Sequence, residues 1–193
     1  MSCPPIAGPL VKGPRVHRLG QIGFRNRVDF NGSSGRGENE DHWQQTNTAA
    51  LVSMAEKPAA TITESVCNVF RCVINPALFD TRLDFAVRDW ARRSATVRRA
   101  MEASENQRLA ALQQMFDRFG YPDLEAVARA RILYYMQIGY DDAQLGEPMA
   151  VRNALMPAYL VGFTGQHPKP EEVTALRAYA VALESGELSV QPA

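Results

Sequence analysis

The chain lacks any run of about 18 apolar residues, so no segment reads as a membrane-spanning helix. It has only three cysteines, Cys3, Cys67 and Cys72. An odd, unevenly spaced set excludes a disulfide framework. The three histidines, His17, His42 and His167, are scattered, and none falls in a recognised metal-binding spacing. The stretch "GSSGRG" is glycine-rich but lacks the Gly-Lys-Ser/Thr end of a phosphate loop, and no strand precedes it. There is no internal repeat and no net charge, with 21 basic and 21 acidic side chains. The opening "MSCPPIAGPLVKG" has no basic leader and has prolines before its short apolar stretch, which makes a poor signal peptide. A cytoplasmic protein without metal or cofactor is expected. No arrangement of residues argues for an enzyme.

What is present is unevenly distributed. Residues 1–37 hold six basic side chains and one acid, a balance of +5 that the rest of the chain offsets. They also hold seven of the 13 glycines and four of the 12 prolines. Such a segment is entropically expensive to order and has few apolar groups to offset that cost. Residues 1–40 are therefore read as an irregular basic segment, 41–185 as a helical domain, and 186–193 as a tail. A basic arm would bind a polyanion weakly and in a salt-dependent way.

From Asp41 onward the apolar spacing is helical. Trp43, Asn47, Ala50, Leu51 and Met54 recur near helical intervals until Lys57-Pro58. Thr61 and Glu64 have capping-box spacing ahead of "SVCNVFRCVI". A helix from about Leu78 to Arg93 follows, with a stripe of Phe79, Leu83, Ala86 and Trp90. Ser94 suits the start of a long helix running toward Phe119, and Gly120 its end. Pro122 opens the next helix, Pro157 predicts a kink or break within 148–164, and "PKPEE" opens the last. Seven helical segments and no convincing strand make the fold class all-α.

Polar and reactive groups read as structural. Cys67 and Cys72, five apart among Val, Phe and Ile, are small core residues. Glu102 and Glu105 read as a solvated face of the long helix, and Asp141-Asp142 as a solvated pair beyond a helix end. The stretch 122–140 is different. Leu124, Ala128, Ile132 and Met136 lie on one side, and Val127, Ala130, Leu133 and Tyr134 on the other. A helix apolar on opposite sides needs cover on both. One side can pack on its own domain, and the other needs a partner such as a second copy.

The stretch "DWARRSATVRRAMEASENQRLAALQQMFDRFGYPDLEAVARARILYYMQIGY" resembles the C-terminal domain of TetR-type transcriptional regulators. The marks are Trp90-Ala91, Arg108-Leu109, Phe116, Phe119-Gly120-Tyr121, Glu125-Ala126, Ala128-Arg129-Ala130, Tyr134 and Gly139. "YLVGFTGQHPKPEE" and "EDHWQQTNTAALVSMAEKP" are similar to the tail and the linking helix of that domain, so the likeness covers about residues 41–185. The resemblance implies a helical body that homodimerises through a four-helix bundle and holds a small hydrophobic effector in each subunit. By type and position, Phe85, Trp90, Met115, Phe116, Phe119 and Tyr134 are candidate pocket residues. Ala128, Ile132, Tyr135, Leu155, Tyr159 and Phe163 are candidates for the dimer seam. The family's helix-turn-helix head is not recognisable in residues 1–40, which makes DNA a doubtful partner. A shifted frame upstream of about Glu38, or a misassigned start, is the expected cause, and translating the other two frames tests it. The alternative is a helical protein-interaction module that does not bind DNA.

Overall fold

The computed structural model describes residues 43–188, and the expectations for residues 1–40 and for the end of the tail lie outside them. Seven α-helices and no strand are found among the described residues. None of these helices is long and apolar enough to cross a membrane. Trp43 leads into a π-helical turn, Gln44–Thr48. Then come α1 (Ala49–Glu56), α2 (Ile62–Val73), α3 (Thr81–Ala91), α4 (Ala95–Asp117), α5 (Asp123–Ala143), α6 (Met149–Thr164) and α7 (Pro170–Glu184).

Most boundaries come from identifiable caps. The Thr61 hydroxyl accepts from the Glu64 amide at 3.0 Å and starts α2. Glu64 reaches back one residue further than a standard capping box, to the Ala60 amide at 2.7 Å. Asp80 accepts from the Leu83 amide at 3.0 Å, so α3 begins at Thr81 rather than near Leu78. The Asn47 side chain clamps that cap by exchanging two hydrogen bonds with the Asp80 backbone, at 2.8 and 2.9 Å. Ser94 accepts from the Val97 amide at 3.4 Å at the start of α4. Gly120, at φ +78°, turns the chain just after that helix. Helix α5 runs past Gly139 to Ala143 and stops where Gln144 takes a left-handed conformation, φ 45°. Asp141 and Asp142 therefore lie inside the helix, not beyond it.

Pro157 does not break α6, which is continuous from Met149 to Thr164. A mid-helix proline removes the amide that would bond the carbonyl four residues back. Here that carbonyl belongs to Asn153, and Arg177 of α7 donates to it from Nε at 3.2 Å and Nη2 at 2.7 Å. The neighbouring helix replaces the lost bond. At its other end α6 is closed by Gly165, φ +71°. The Arg129 guanidinium donates to the Phe163 carbonyl at 2.7 Å, and the Tyr121 hydroxyl donates to the Thr164 carbonyl.

The main core joins α1, α2, α4, α5, α6 and α7 around Ile62, Val66, Leu112, Met115, Phe116, Leu133, Leu160 and Leu176. Cys67 and Cys72 are buried in it, as expected. A second, smaller cluster lies between Trp43, α3 and the start of α4: Leu83, Val87, Ala91, Val97 and Met101. Helix α7 is tied to α2 by Glu172, which accepts from the Thr61 and Thr63 hydroxyls and from the Lys169 amide. Burial opposes the Glu172 charge, but these three donors outweigh it and hold the carboxyl below its usual range.

Candidate functional site

A polar knot lies where the two hydrophobic clusters meet. Its centre is Asp84 on the inward face of α3. Asp84 Oδ1 accepts from Trp43 Nε1 and from Arg108 Nη1, both at 2.8 Å, and Oδ2 accepts from Arg88 Nε at 2.8 Å. Arg88 also donates to Glu105 Oε1 at 2.6 Å and to the Tyr134 hydroxyl at 2.9 Å. Arg108 donates from Nε to the Thr48 hydroxyl at 3.1 Å and lies 4.8 Å from the Trp43 ring centre and 5.3 Å from that of Phe79. These ring distances are within cation–π range. Arg108 is completely buried, at 0% exposure.

The electrostatics follow from this geometry. Burial alone would raise the Asp84 pKa, but the charges and hydrogen bonds of Arg108 and Arg88 hold it below its ordinary value. Burial would likewise lower Arg88, and the Asp84 charge reverses that and keeps the guanidinium protonated. Burial raises Tyr134 against the pull of Arg108 and Arg88, so its hydroxyl stays neutral. Glu105, expected on a solvated face, is half-buried and belongs to this knot, whereas Glu102 is exposed.

Next to the knot lies a small inner chamber of about 30 Å³. Val69, Phe85, Leu112, Leu133 and Ile138 form its apolar wall, and Asp84, Arg108, Tyr134, Gln137 and Asp141 its polar edge. A middle chamber of about 90 Å³, open to solvent, lies between Phe70, Ile74, Met136, Tyr140, Arg152, Met156, Tyr159 and Leu176. An open groove of about 770 Å³ runs over Pro76, Asp80, Arg82, Met149, Arg152, Asn153 and Leu183. Gln137 borders all three spaces. Its amide donates to Asp141 at 3.0 Å. Asp141 is raised by burial, against the Gln137 hydrogen bond and the Arg152 charge.

Of the expected pocket residues, Phe85 and Tyr134 line the inner chamber. Met115 and Phe116 are fully buried core and Phe119 packs against that core, so none of the three borders these chambers. Trp90 packs on the smaller cluster instead. Of the expected seam residues, Ala128, Ile132, Tyr135, Leu155 and Tyr159 are exposed on α5 and α6. Phe163, expected at the seam, is instead buried in the core, 5.7 Å from the Phe70 ring. Tyr159 also borders the middle chamber.

Sequence reasoning missed Arg108, Asp84, Gln137 and Asp141 as site residues. Arg108 carried a readable signal, because it stands in register with Met101, Ser104, Leu112 and Met115 on the buried stripe of α4. No group of acids, cysteines and histidines suited to a metal occurs among the described residues. Burial pushes the thiols of Cys67 and Cys72 up to about 12, so neither is a thiolate at neutral pH.

The described residues thus define an all-helical protein with neighbouring recesses that share Gln137, the smallest of them beside a buried ion network. Compared with known proteins, the chain matches no family model, no curated protein and no solved structure.

Proposed function

We propose that this chain is the effector-binding and dimerising body of a TetR-type regulator. The observation that carries the reading is the set of exposed apolar side chains along α5 and α6, interrupted on α5 by Arg131. Leu124 is 86% exposed, Ile132 54% and Tyr135 51%, with Leu155 and Tyr159 exposed beside them. Large apolar side chains left exposed on neighbouring helices of a folded domain favour association. The opposite side of α5, Ala126, Ala130, Leu133 and Tyr134, already packs on its own core. A twofold pairing of α5 and α6 with their copies would cover these side chains in a four-helix bundle. The cavity inside the same subunit supports the other half of the proposal, a small hydrophobic effector. In this reading, effector binding and operator binding are linked, and the mechanism needs a DNA-binding head, supplied by this chain or by an intact relative in a mixed dimer.

The test is sedimentation equilibrium of the full chain at micromolar concentration. A dimer is expected, and Ile132→Asp together with Tyr159→Asp should weaken it at least about a hundredfold by placing unpaired carboxylates at the seam. A well-folded monomer at that concentration would overturn the reading. It would favour the second one, an interaction module whose exposed apolar side chains dock on another protein.

A further inference from the structure

The guanidinium of Arg108 is not fully used. Nη1 is held by Asp84 and Nε by Thr48. Nη2 is buried without a hydrogen-bond partner among the described residues. Buried donors of this kind are rare and are normally met by a water or a ligand atom. Arg108 sits at the polar edge of the inner chamber, whose opposite wall is Val69, Phe85, Leu112 and Leu133. A chamber of about 30 Å³ has room for one polar atom and little more. Space for the remainder of a ligand lies beyond Gln137, in the middle chamber and the groove.

The charges around Arg108 decide what that atom is. Arg88 and Arg108 are balanced by Asp84 and Glu105. Asp141 adds a further carboxyl at the edge of the same chamber. Arg152, at the neighbouring chamber, offsets Asp141, so the set is balanced and a ligand carboxylate at the inner end would add an uncompensated negative charge beside Asp84 and Asp141. An ammonium would meet the Nη2 donor. An alkane would leave Nη2 unmet.

Resting on the effector-binding reading, we propose that the cavity takes an elongated apolar molecule with an uncharged carbonyl oxygen at its inner end, which accepts a hydrogen bond from Arg108 Nη2. The tail runs past Gln137, displacing its amide from Asp141, and lies between Phe70, Ile74, Met156 and Leu176. Ketones, esters and amides fit this description, and fatty acids do not.

Three probes of similar size and shape test it on the full chain by calorimetric titration: benzylacetone, butylbenzene and hydrocinnamate. Benzylacetone should bind about tenfold or more tighter than butylbenzene, the return on a hydrogen bond from a charged donor. Hydrocinnamate should bind no tighter than butylbenzene. The carbonyl stretch of bound benzylacetone should move to lower wavenumber, a reading that needs no variant. Arg108→Lys should abolish the preference for the ketone. Phe85→Trp, which changes only a half-buried wall, should exclude it if the lysine variant fails to fold. Equal binding of ketone and hydrocarbon, tightest binding of the carboxylate, no binding of any probe, or an unshifted carbonyl would each overturn the proposal. Sedimentation of the same samples separates the two claims. A dimer without ketone preference removes only the ligand chemistry, and a monomer with that preference removes only the regulator body.

Discussion

Replacing Asp84 by alanine should come close to unfolding this protein. The substitution deletes three hydrogen bonds, to Trp43, Arg108 and Arg88. It leaves Arg108 with no exposed surface and no carboxylate. Removing one partner of a buried ion pair costs about 3–5 kcal/mol, mostly as the penalty of the charge left behind. Leaving the Trp43 indole N–H unmet adds about 1–3 kcal/mol. Arg88 contributes less, because it keeps Glu105 and Tyr134 and is partly exposed. The expected loss is about 4–8 kcal/mol against a typical total of about 5–15 kcal/mol. Urea denaturation followed by circular dichroism measures it. Asp84→Asn, which keeps the shape and one acceptor, should lose clearly less. Replacing the pair together, Asp84→Leu with Arg108→Met, should recover at least about 2 kcal/mol relative to Asp84→Ala, since well-packed apolar residues often replace a buried pair at little cost. Acidity gives an independent check. The folded-state pKa of Asp84 is depressed, so its contribution is fully present above the ordinary value of 3.8 and is lost as pH falls through the folded value. That part of the acid limb should be missing in the variants. A loss under about 1.5 kcal/mol for Asp84→Ala, with an unchanged acid limb, would refute the assignment of Asp84 as the centre of the knot.

Other outcomes follow from single contacts. Arg177→Ala should cost about 1–2 kcal/mol by orphaning the Asn153 carbonyl, but much less in a Pro157→Ala background, where the helix supplies its own amide; a double-mutant cycle in urea that shows no coupling would contradict the replacement. The thiols of Cys67 and Cys72 rise from 9.0 to about 12, so their contribution is complete below pH 9 and is lost as pH rises through 12. That is at most about 4 kcal/mol each, and Cys67→Ala with Cys72→Ala should flatten the alkaline limb measured by denaturation at stepped pH. A side-chain methyl at Gly165 would lie 2.8 Å from Arg129 Nη2, whereas one at Gly120 would meet nothing within 4 Å. Both residues have positive φ, so thermal melts should show Gly165→Ala to be worse than Gly120→Ala by about 1 kcal/mol or more.

The architecture was legible where chemistry is local. Thr61, Ser94, Gly120 and the "PKPEE" start mark real helix ends, because a cap acts within four residues of itself. The two sides of α5 were partly legible for a similar reason, since helical period separates Leu124, Ala128 and Ile132 from Ala130, Leu133 and Tyr134, although Met136, expected with the first set, packs against the core. Effects that need a distant partner were not legible. Pro157 predicted a kink or break because Arg177, twenty residues later, is not visible as the donor that rescues Asn153. Phe163 shares the spacing of Leu155 and Tyr159, yet it turns toward Phe70 of α2. Met115 and Phe116 were correctly apolar and central, but their type could not distinguish a core residue from a cavity wall.

The larger omission was Arg108, and its cause is instructive about the fold. A charged residue is ordinarily read as solvated, yet Arg108 falls on the buried stripe of α4, four residues before Leu112 and seven after Met101. A cation in that register has to find an anion from another helix, because desolvation is otherwise prohibitive. The candidate anion has to be equally misplaced on its own helix. Asp84 meets that condition, lying between Leu83 and Val87 on the inward side of α3. Two charges that each violate the amphipathic pattern of their helix are therefore better evidence of a contact than either is alone. The same reasoning explains why the knot lies beside the cavity. Apolar packing cannot close around a guanidinium whose five N–H donors point in fixed directions. Asp84 and Thr48 occupy two of the guanidinium nitrogens, the third is left without a partner among the described residues, and Arg108 borders the inner chamber.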